Sequence, residues 1–372
     1  MASILFALGL LSALAFVWPY LIYPKFLEML PAKPIERHAC EISVSLLFSA
    51  YNERASLPAK LENLRHLKRR NPKLEILAFD DGSSDGTGEM LAQVPELITL
   101  VRGPGRSGKA AGMKRLAAMA RGDVLVFTDA NVILSNDAID RLKPYYADEK
   151  VGGVCGTLRY GEGCSVTSAV GAEYWNLDEH LRSLESRSGN VIGADGSIFS
   201  IRKSLYPDFP DTVLDDFTVS MHVVFAGKRL IKAPDVIAFE NSVAQRAEEF
   251  RRKIRIGARA WQTHTFLRAK LRRMAAIDRF KYISRKMLRW FGGAFLTLAA
   301  IFFCAGLALL AWPVALSLAI GGLVILAMAL RARSGTLARG GEILLAVFGT
   351  QIGVLRAMRG ETFVTWAPAA SR

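Results

Sequence analysis

Cysteine is scarce in this chain of 372 residues, and none of the four, Cys40, Cys155, Cys164 and Cys304, forms a C-x-x-C pair. That scatter excludes a disulfide framework and argues against a zinc site, both of which need closely spaced or evenly paired thiols. The cysteines are expected to be packing residues. Five histidines likewise show no metal-ligand spacing. Acids are also in deficit, with 34 Asp and Glu against 48 Lys and Arg, and the deficit is local. Residues 251 to 289 hold fourteen Lys or Arg and one acid, Asp278, which accounts for nearly all of the formal net charge of +14.

A basic stretch of this kind suits nucleic acid in one reading. Here it is interleaved with Ile254, Ile256, Trp261, Phe266, Leu267, Leu271 and Phe280, and it leads straight into an uncharged run. Amphipathic interfacial helices on an anionic lipid surface account for both features, so the expected partners are membrane lipids and not nucleic acid.

Charge is missing altogether from residues 2 to 24 and 290 to 330. Runs of that length can cross a hydrocarbon layer of about 30 Å, the second of them twice if it turns near Pro313. Ala13-Leu14-Ala15 offers a small-residue cleavage pattern, yet no Lys or Arg precedes the apolar stretch, so an uncleaved anchor is expected. Lys25, Lys33 and Arg37 follow it closely and place residue 25 onward in the cytoplasm by the positive-inside rule. A third apolar segment, residues 341 to 355, is about 23 Å long as a helix. Arg356 and Arg359 behind it favour a cytoplasmic tail, hence a re-entrant course and no full crossing. The division expected is an anchor over 1–24, a cytoplasmic domain over 41–250, basic interfacial helices over 251–289, a transmembrane region over 290–358 and a tail over 359–372. The chain is thus expected in the inner (plasma) membrane, multi-pass, with its catalytic domain cytoplasmic.

Between the apolar ends, strand and helix patterns alternate. ISVSLLFSA reads as a strand buried on both faces, and a helix over residues 56 to 70 carries Leu57, Leu61, Leu64 and Leu67 on one side. LEILAFDD, ITLVR and DVLVFTDA read as further strands, with helices over 89 to 93 and 109 to 120 between them. Alternation of this kind predicts an α/β fold with a mostly parallel sheet and ligands at its carboxyl edge.

The segment RGPGRSGKAAG, residues 102 to 112, resembles a triphosphatase phosphate loop up to its last letter. That loop needs Ser or Thr after the lysine to hold magnesium, and Ala110 stands there instead. Three acidic or polar clusters fall just after strands: Tyr51-Asn52-Glu53, Asp80-Asp81-Gly82 and Asp129-Ala130-Asn131. Singly, Asp-Gly is an ordinary turn former. Together at one sheet edge, such oxygens suit a nucleotide with a divalent cation.

AYNERASLP, FDDGSSDGT and GKAAGMKRLAAMARGDVLVFTDAN, in that order and spacing, resemble family 2 glycosyltransferases across roughly residues 42 to 260, and the flanking apolar runs resemble the polysaccharide-synthase branch. The resemblance implies a glycosyltransferase A-type fold, a UDP- or GDP-sugar donor, inversion at the anomeric carbon, and Mg2+ or Mn2+. It implies nucleotide contacts at Asn52, Glu53, Asp80, Asp81, Lys109 and Asp129, with Asp129 and Asn131 at the metal. Asn131 departs from the usual second carboxylate and weakens metal binding.

Farther on, the resemblance places the acceptor beside GADGSIFSIRKSLYP, through Gly193, Asp195 and Gly196, and beside Asp215 of VLDDFTVS, with Asp216 as general base. In RRKIRIG, Arg255 keeps the arginine expected at the leaving diphosphate, while Ile256 stands where processive synthases carry Trp; Trp261 is the nearby substitute at the acceptor. The function implied is sugar transfer to a glycan or lipid-linked acceptor in exopolysaccharide or cell-envelope synthesis, with export or polymerisation subunits as compatible partners. Single-sugar transfer to a lipid carrier is the alternative.

Overall fold

The structure, a computed structural model, describes residues 1–161, 165–241 and 245–363; Cys164 and the tail beyond residue 363 lie outside them. The chain opens on helix α1 (Ala2–Val17), a wide turn over Trp18–Ile22 that accommodates Pro19, and α2 (Tyr23–Met29). The expected alternation follows: β1 (Val44–Ala50), α3 (Leu57–Arg70), β2 (Glu75–Asp80), α4 (Thr87–Ala92), β3 (Thr99–Arg102), α5 (Lys109–Met119) and β4 (Val124–Thr128). Next come β5 (Ile133–Leu134), α6 (Ala138–Leu142), β6 (Val151–Tyr160), α7 (Val166–Arg187), β7 (Ile198–Arg202), α8 (Asp215–Phe225) and β8 (Arg229–Glu240).

These strands form one sheet in the order β3-β2-β1-β4-β7-β6-β8-β5. The first four pair in parallel, as do β6 and β8. β7 runs antiparallel between β4 and β6, and β5 closes the far edge antiparallel to β8. The apolar strands are explained by burial on both faces. Leu46 and Phe48 of β1 join Leu57, Leu61, Leu64 and Leu67 of α3 on one side, while Leu47 joins Met113 and Leu116 of α5 on the other. Each fully buried Leu or Phe contributes roughly 1.5–3 kcal/mol. The parallel half therefore holds the carboxyl ends of β1, β2 and β4 side by side.

The rest is helical: α9 (Arg246–Arg272), α10 (Ala276–Tyr282), α11 (Leu288–Trp290), α12 (Gly292–Arg331) and α13 (Gly335–Met358). Three segments are long and apolar enough to cross a membrane: Ala2–Met29, Gly292–Arg331 and Gly335–Met358. α12 is not one straight rod, which at forty residues would measure about 60 Å. Gly292 and Gly293 pack against Val347, Phe348 and Gln351 of α13, and Ala329 packs against Gly341 of the same helix. Both ends of α12 thus meet one short stretch of α13, so the chain doubles back. The break lies at Ala311 (φ −154°, ψ 74°), two residues before Pro313, where a missing N–H and the ring's clash interrupt helix. The turn expected near Pro313 is present.

α9 and α13 run side by side in the same direction. Arg246 is paired with Glu342 at 2.5 Å, Ile254 lies against Gly353, and Gln262 donates to the Glu361 carbonyl at 2.8 Å. Gly257, Gly349 and Gly353 make the approach possible. A methyl group at Gly257 or Gly353 would overlap the carbonyl of Thr350 or Ile254, respectively. The basic stretch also differs from a simple solvated collar. Arg251, Arg268, Lys270, Arg272, Arg273 and Arg279 are exposed, but the other eight cations between 251 and 289 are half-buried or buried, because they line cavities, hold carboxylates or, for Lys281, donate to the Glu185 and Asn190 carbonyls.

Candidate active site

A cleft of about 190 Å³ opens at the carboxyl ends of the parallel strands. It is lined by Tyr51 and Glu53 after β1, Asp81 after β2, Asp129 and Asn131 after β4, Lys109 at the start of α5, and Asp195, Gly196, Asp215, Asp216 and Arg255 from the second half of the chain. Most residues expected from the sequence therefore meet in one place.

Asp81 is almost fully buried and organises the glycine-rich loop. Its carboxylate accepts from the backbone N–H groups of Ser107 (2.7 Å) and Gly108 (2.9 Å), from the Ser107 hydroxyl (2.8 Å) and from the Arg106 guanidinium (2.9 Å). Arg106 in turn lies over the Tyr51 ring, 3.2 Å from its centroid. The loop that resembled a phosphate loop is thus a collar tied down by Asp81. Each charge-assisted hydrogen bond contributes about 1.5–3 kcal/mol, so Asp81→Ala is expected to release the loop. Nucleoside diphosphate affinity should fall at least tenfold by calorimetry while the protein stays folded in detergent; unchanged affinity would refute the site.

Lys109 bonds Asp129 at 2.5 Å. Burial opposes its charge, but Asp129, then Asp215 and Asp216, hold the ammonium above the usual lysine range. A Cβ on Gly196 would stand 3.0 Å from the Lys109 ammonium and 3.3 Å from a carboxylate oxygen of Asp216, so glycine there keeps the cleft open. Asn131 donates from its amide to Glu240, at the end of β8, at 3.0 Å. Asp216 sits in the first turn of α8, and one of its oxygens accepts from the Phe217 N–H at 2.6 Å. Burial, then the neighbouring Asp215, push its carboxyl up to about 7, with Lys109 pulling the other way.

A second, larger cavity of about 660 Å³ adjoins the first. Asp216 and Asp195 line both, whereas Asp215 lines only the smaller one. Adjacent helical side chains diverge by about 100°, which separates the two carboxylates.

Asp215 and Gly196, expected at the acceptor, line only the smaller cleft, and four further expected residues line neither cavity. Asp80 does not line the cleft; it accepts from the Ser83 N–H at 3.1 Å and packs against Gly88, shaping the turn. Asn52 does not line it either. It holds a left-handed backbone (φ 52°) and accepts from the Ser84 N–H at 2.9 Å, stapling the β1 loop to that turn. Gly193 (φ 82°) is required by the ring of Phe217, which would overlap any Cβ there. Trp261 packs with His264, Trp290 and Phe291, away from both cavities. The wall is instead formed by Arg252, Ile256 and Ala260, four residues apart on α9, and by Trp290. Glu240 was not anticipated. Nor was Lys60, fully buried beneath the Asp129 loop and donating to the Val132 carbonyl at 2.6 Å. The signal for Lys60 was a lysine on the leucine face of α3.

Among known proteins, residues 45–209 match the family described as Glycosyl transferase family 2. Over 204 residues the chain is 28% identical to the poly-beta-1,6-N-acetyl-D-glucosamine synthase of Staphylococcus aureus (strain COL), covering 51% of this chain and 48% of that protein. It is 29% identical over 116 residues to the beta-monoglucosyldiacylglycerol synthase of Trichormus variabilis, covering 30% of this chain and 25% of that one. The chain thus spans about half the length, or less, of the curated relatives it matches. Its fold is shared with a mannosyltransferase from Pyrobaculum calidifontis solved in complex with GDP-Man and Mn2+, at a TM-score of 0.72 and 23% identity over 94% of this chain and 99% of that one. Residues 45–209 thus match a family 2 glycosyl transferase domain, on a glycosyltransferase A-type scaffold with apolar helices at both ends.

Proposed function

We propose that the protein transfers one sugar, with inversion, from a nucleotide diphosphate sugar in the smaller cleft to an acceptor hydroxyl in the larger cavity. The observation that carries this is Asp216, the raised carboxylate on the wall common to both. The acceptor oxygen attacks the anomeric carbon and gives its proton to Asp216. The bond from that carbon to the diphosphate breaks, and the nucleoside diphosphate leaves with the electron pair. Lys109 and Arg255 face the cleft where that charge develops, and fixed cations there lower the barrier. Asp216 as base, rather than as a helix cap, agrees with its place at the junction and with an ordinary pKa match to neutral pH.

A divalent cation is part of this reading. Asp129, Asn131 and Glu240 bring hard oxygen donors to the same cleft, which suits Mg2+ or Mn2+. Among the described residues no three His, Cys, Asp or Glu side chains gather around one point, so the diphosphate would complete the donor set. When bound, such an ion supplies charge neutralisation at the diphosphate. The Pyrobaculum enzyme carries GDP-Man and Mn2+, which supports a nucleotide-sugar donor and a metal here.

The relatives' names divide between a polysaccharide and a glycolipid. An exopolysaccharide or cell-envelope glycan is the expected product in the first case, and single addition to a lipid in the second. Lys25, Lys33 and Arg37 behind the first apolar helix support a cytoplasmic catalytic domain, and the three segments of membrane-spanning length support a multi-pass chain. Nucleotide sugars screened for diphosphate release by the purified protein, with membrane extract and Mn2+ or Mg2+, test the reading. One UDP- or GDP-sugar should be turned over and ATP should not; release from none of them, or from ATP alone, would sink it.

A further inference from the structure

The larger cavity runs from the carboxylates of the active site to the apolar helices. Its far end is walled by Phe16 and Tyr20 near the end of α1 and by Ile343 and Val347 of α13. Its side wall holds four cations, Arg182, Arg285, Lys286 and Arg289. These share three carboxylates. Asp178 takes Arg182 at 3.0 Å, Arg285 at 2.9 Å and Arg289 at 2.8 Å, and Glu185 takes Arg285 at 2.6 Å. Glu179 takes Arg182 at 3.5 Å as well as holding Lys232; of the other nearby acids Glu249 holds Arg252 and Lys253, Glu342 holds Arg246, and Asp195 and Asp216 lie at the active-site end of the cavity.

The wall is therefore left with donors in excess. Lys286 has no hydrogen bond or ion pair among the described residues; its ammonium lies 5.2 Å from the centroid of the Phe217 ring. Burial, then the adjacent Arg285, push this lysine down to about 7, against a weaker opposing pull from Asp178. Arg289 is nine-tenths buried, its guanidinium lies over the Tyr20 and Tyr174 rings, and its Nε and Nη2 atoms have no hydrogen-bond partner among the described residues. Two neighbouring cationic side chains with unmet donors, one a fork and one a point charge, match the oxygens of a phosphate. An apolar chamber more than three times the volume of the donor cleft, ending against helices of membrane-spanning length, matches an acyl or prenyl chain.

We propose that the larger cavity is a binding site for a phosphate-bearing lipid, with the phosphate on Lys286 and Arg289 and the hydrocarbon chain against α1 and α13. The site rests on the reading of this cavity as the acceptor side of the enzyme and assigns the chemical class of what enters it. It favours a lipid-linked substrate over a free glycan, for which a half-buried ammonium without a carboxylate partner among the described residues has no use.

The test uses the full chain in detergent, titrated with a polyprenyl phosphate, the uncharged polyprenol of equal length, phosphatidylglycerol, inorganic phosphate and an uncharged oligosaccharide. Binding is read by microscale thermophoresis. The polyprenyl phosphate or phosphatidylglycerol should bind, at least about tenfold tighter than the polyprenol or inorganic phosphate, the loss expected for one charge-assisted hydrogen bond. Lys286→Gln should remove that advantage and Lys286→Arg should restore it. Because Lys286 has no hydrogen bond or ion pair among the described residues, its replacement leaves the ion network intact and gives up only the contact with the Phe217 ring. Equal affinity for alcohol and phosphate, indifference to Lys286→Gln, phosphate bound as well without a chain as with one, or the oligosaccharide bound in preference would each overturn the proposal. A nucleoside diphosphate titrated in parallel keeps the two readings apart. It should bind the wild type and Lys286→Gln alike, and its failure to bind at all would count against the donor cleft whatever the lipid does.

Discussion

Asp216→Asn should lose sugar transfer by about 10² to 10⁴, the usual contribution of a general base, while nucleoside diphosphate binding stays close to wild type. The amide keeps the shape of the carboxylate and its acceptance from the Phe217 N–H, so the fold has no reason to change. Asp215→Asn should behave differently, because Asp215 lines the donor cleft alone. The pH profile separates the two further. A base must be deprotonated to act, and Asp216 is pushed up to about 7. With that carboxyl as the sole base, kcat/KM should fall about tenfold per unit as pH drops below 7 and level off above it. Removing the Asp215 charge removes one of the causes that raise Asp216, so in Asp215→Asn the acidic limb should move to lower pH. Single-turnover transfer at saturating donor is the measurement. Near-normal turnover in Asp216→Asn, with Asp215→Asn inactive, would reverse the assignment.

Gly353→Ala should be the most damaging conservative change outside the cleft. A methyl group there overlaps the Ile254 carbonyl, a backbone atom that cannot rotate aside. The helices must part, and overpacking of this kind costs about 1–3 kcal/mol or more. Arg252 and Ile256 on α9 line both cavities, and Arg255 lines the cleft, so activity should fall along with the melting temperature. Gly340→Ala is the control, since a Cβ there meets nothing within 4 Å, and alanine is the better helix former. Equal melting temperatures for Gly353→Ala and Gly340→Ala would show that the contact is not tight in solution.

The sequence made the parallel half of the sheet legible because β1, β2 and β4 are apolar on both faces, and because the clusters at their ends recur at the same edge. It separated less well the residues that touch the cleft from those that shape it. Asp80 and Asp81 are adjacent and alike on paper, yet the strand's alternation sends one into the turn and the other under the loop. Trp261 was placed at the acceptor by proximity to Arg255, but it lies a quarter-turn from the wall formed by Ile256 and Ala260. The ion network around Asp178 joins α7 to the segment near residue 285, more than a hundred residues later. No local pattern announces such a pairing. The basic stretch was read as a surface property because charge patterning suggests solvent. More than half of its cations instead face inward, and only the packing of α9 to α11 on α7 and α13 reveals it.

The glycine seam between α9 and α13 ties chemistry to the anchor mechanically. Because the backbones touch at Gly353 and the helices run in step from Arg246 to Gln262, tilting α13 carries α9, and with it Arg252 and Arg255, as one lever. A catalytic portion cut free at residue 289 would lose the rail on which its arginines ride, so solubility by truncation and activity are opposing goals in this protein.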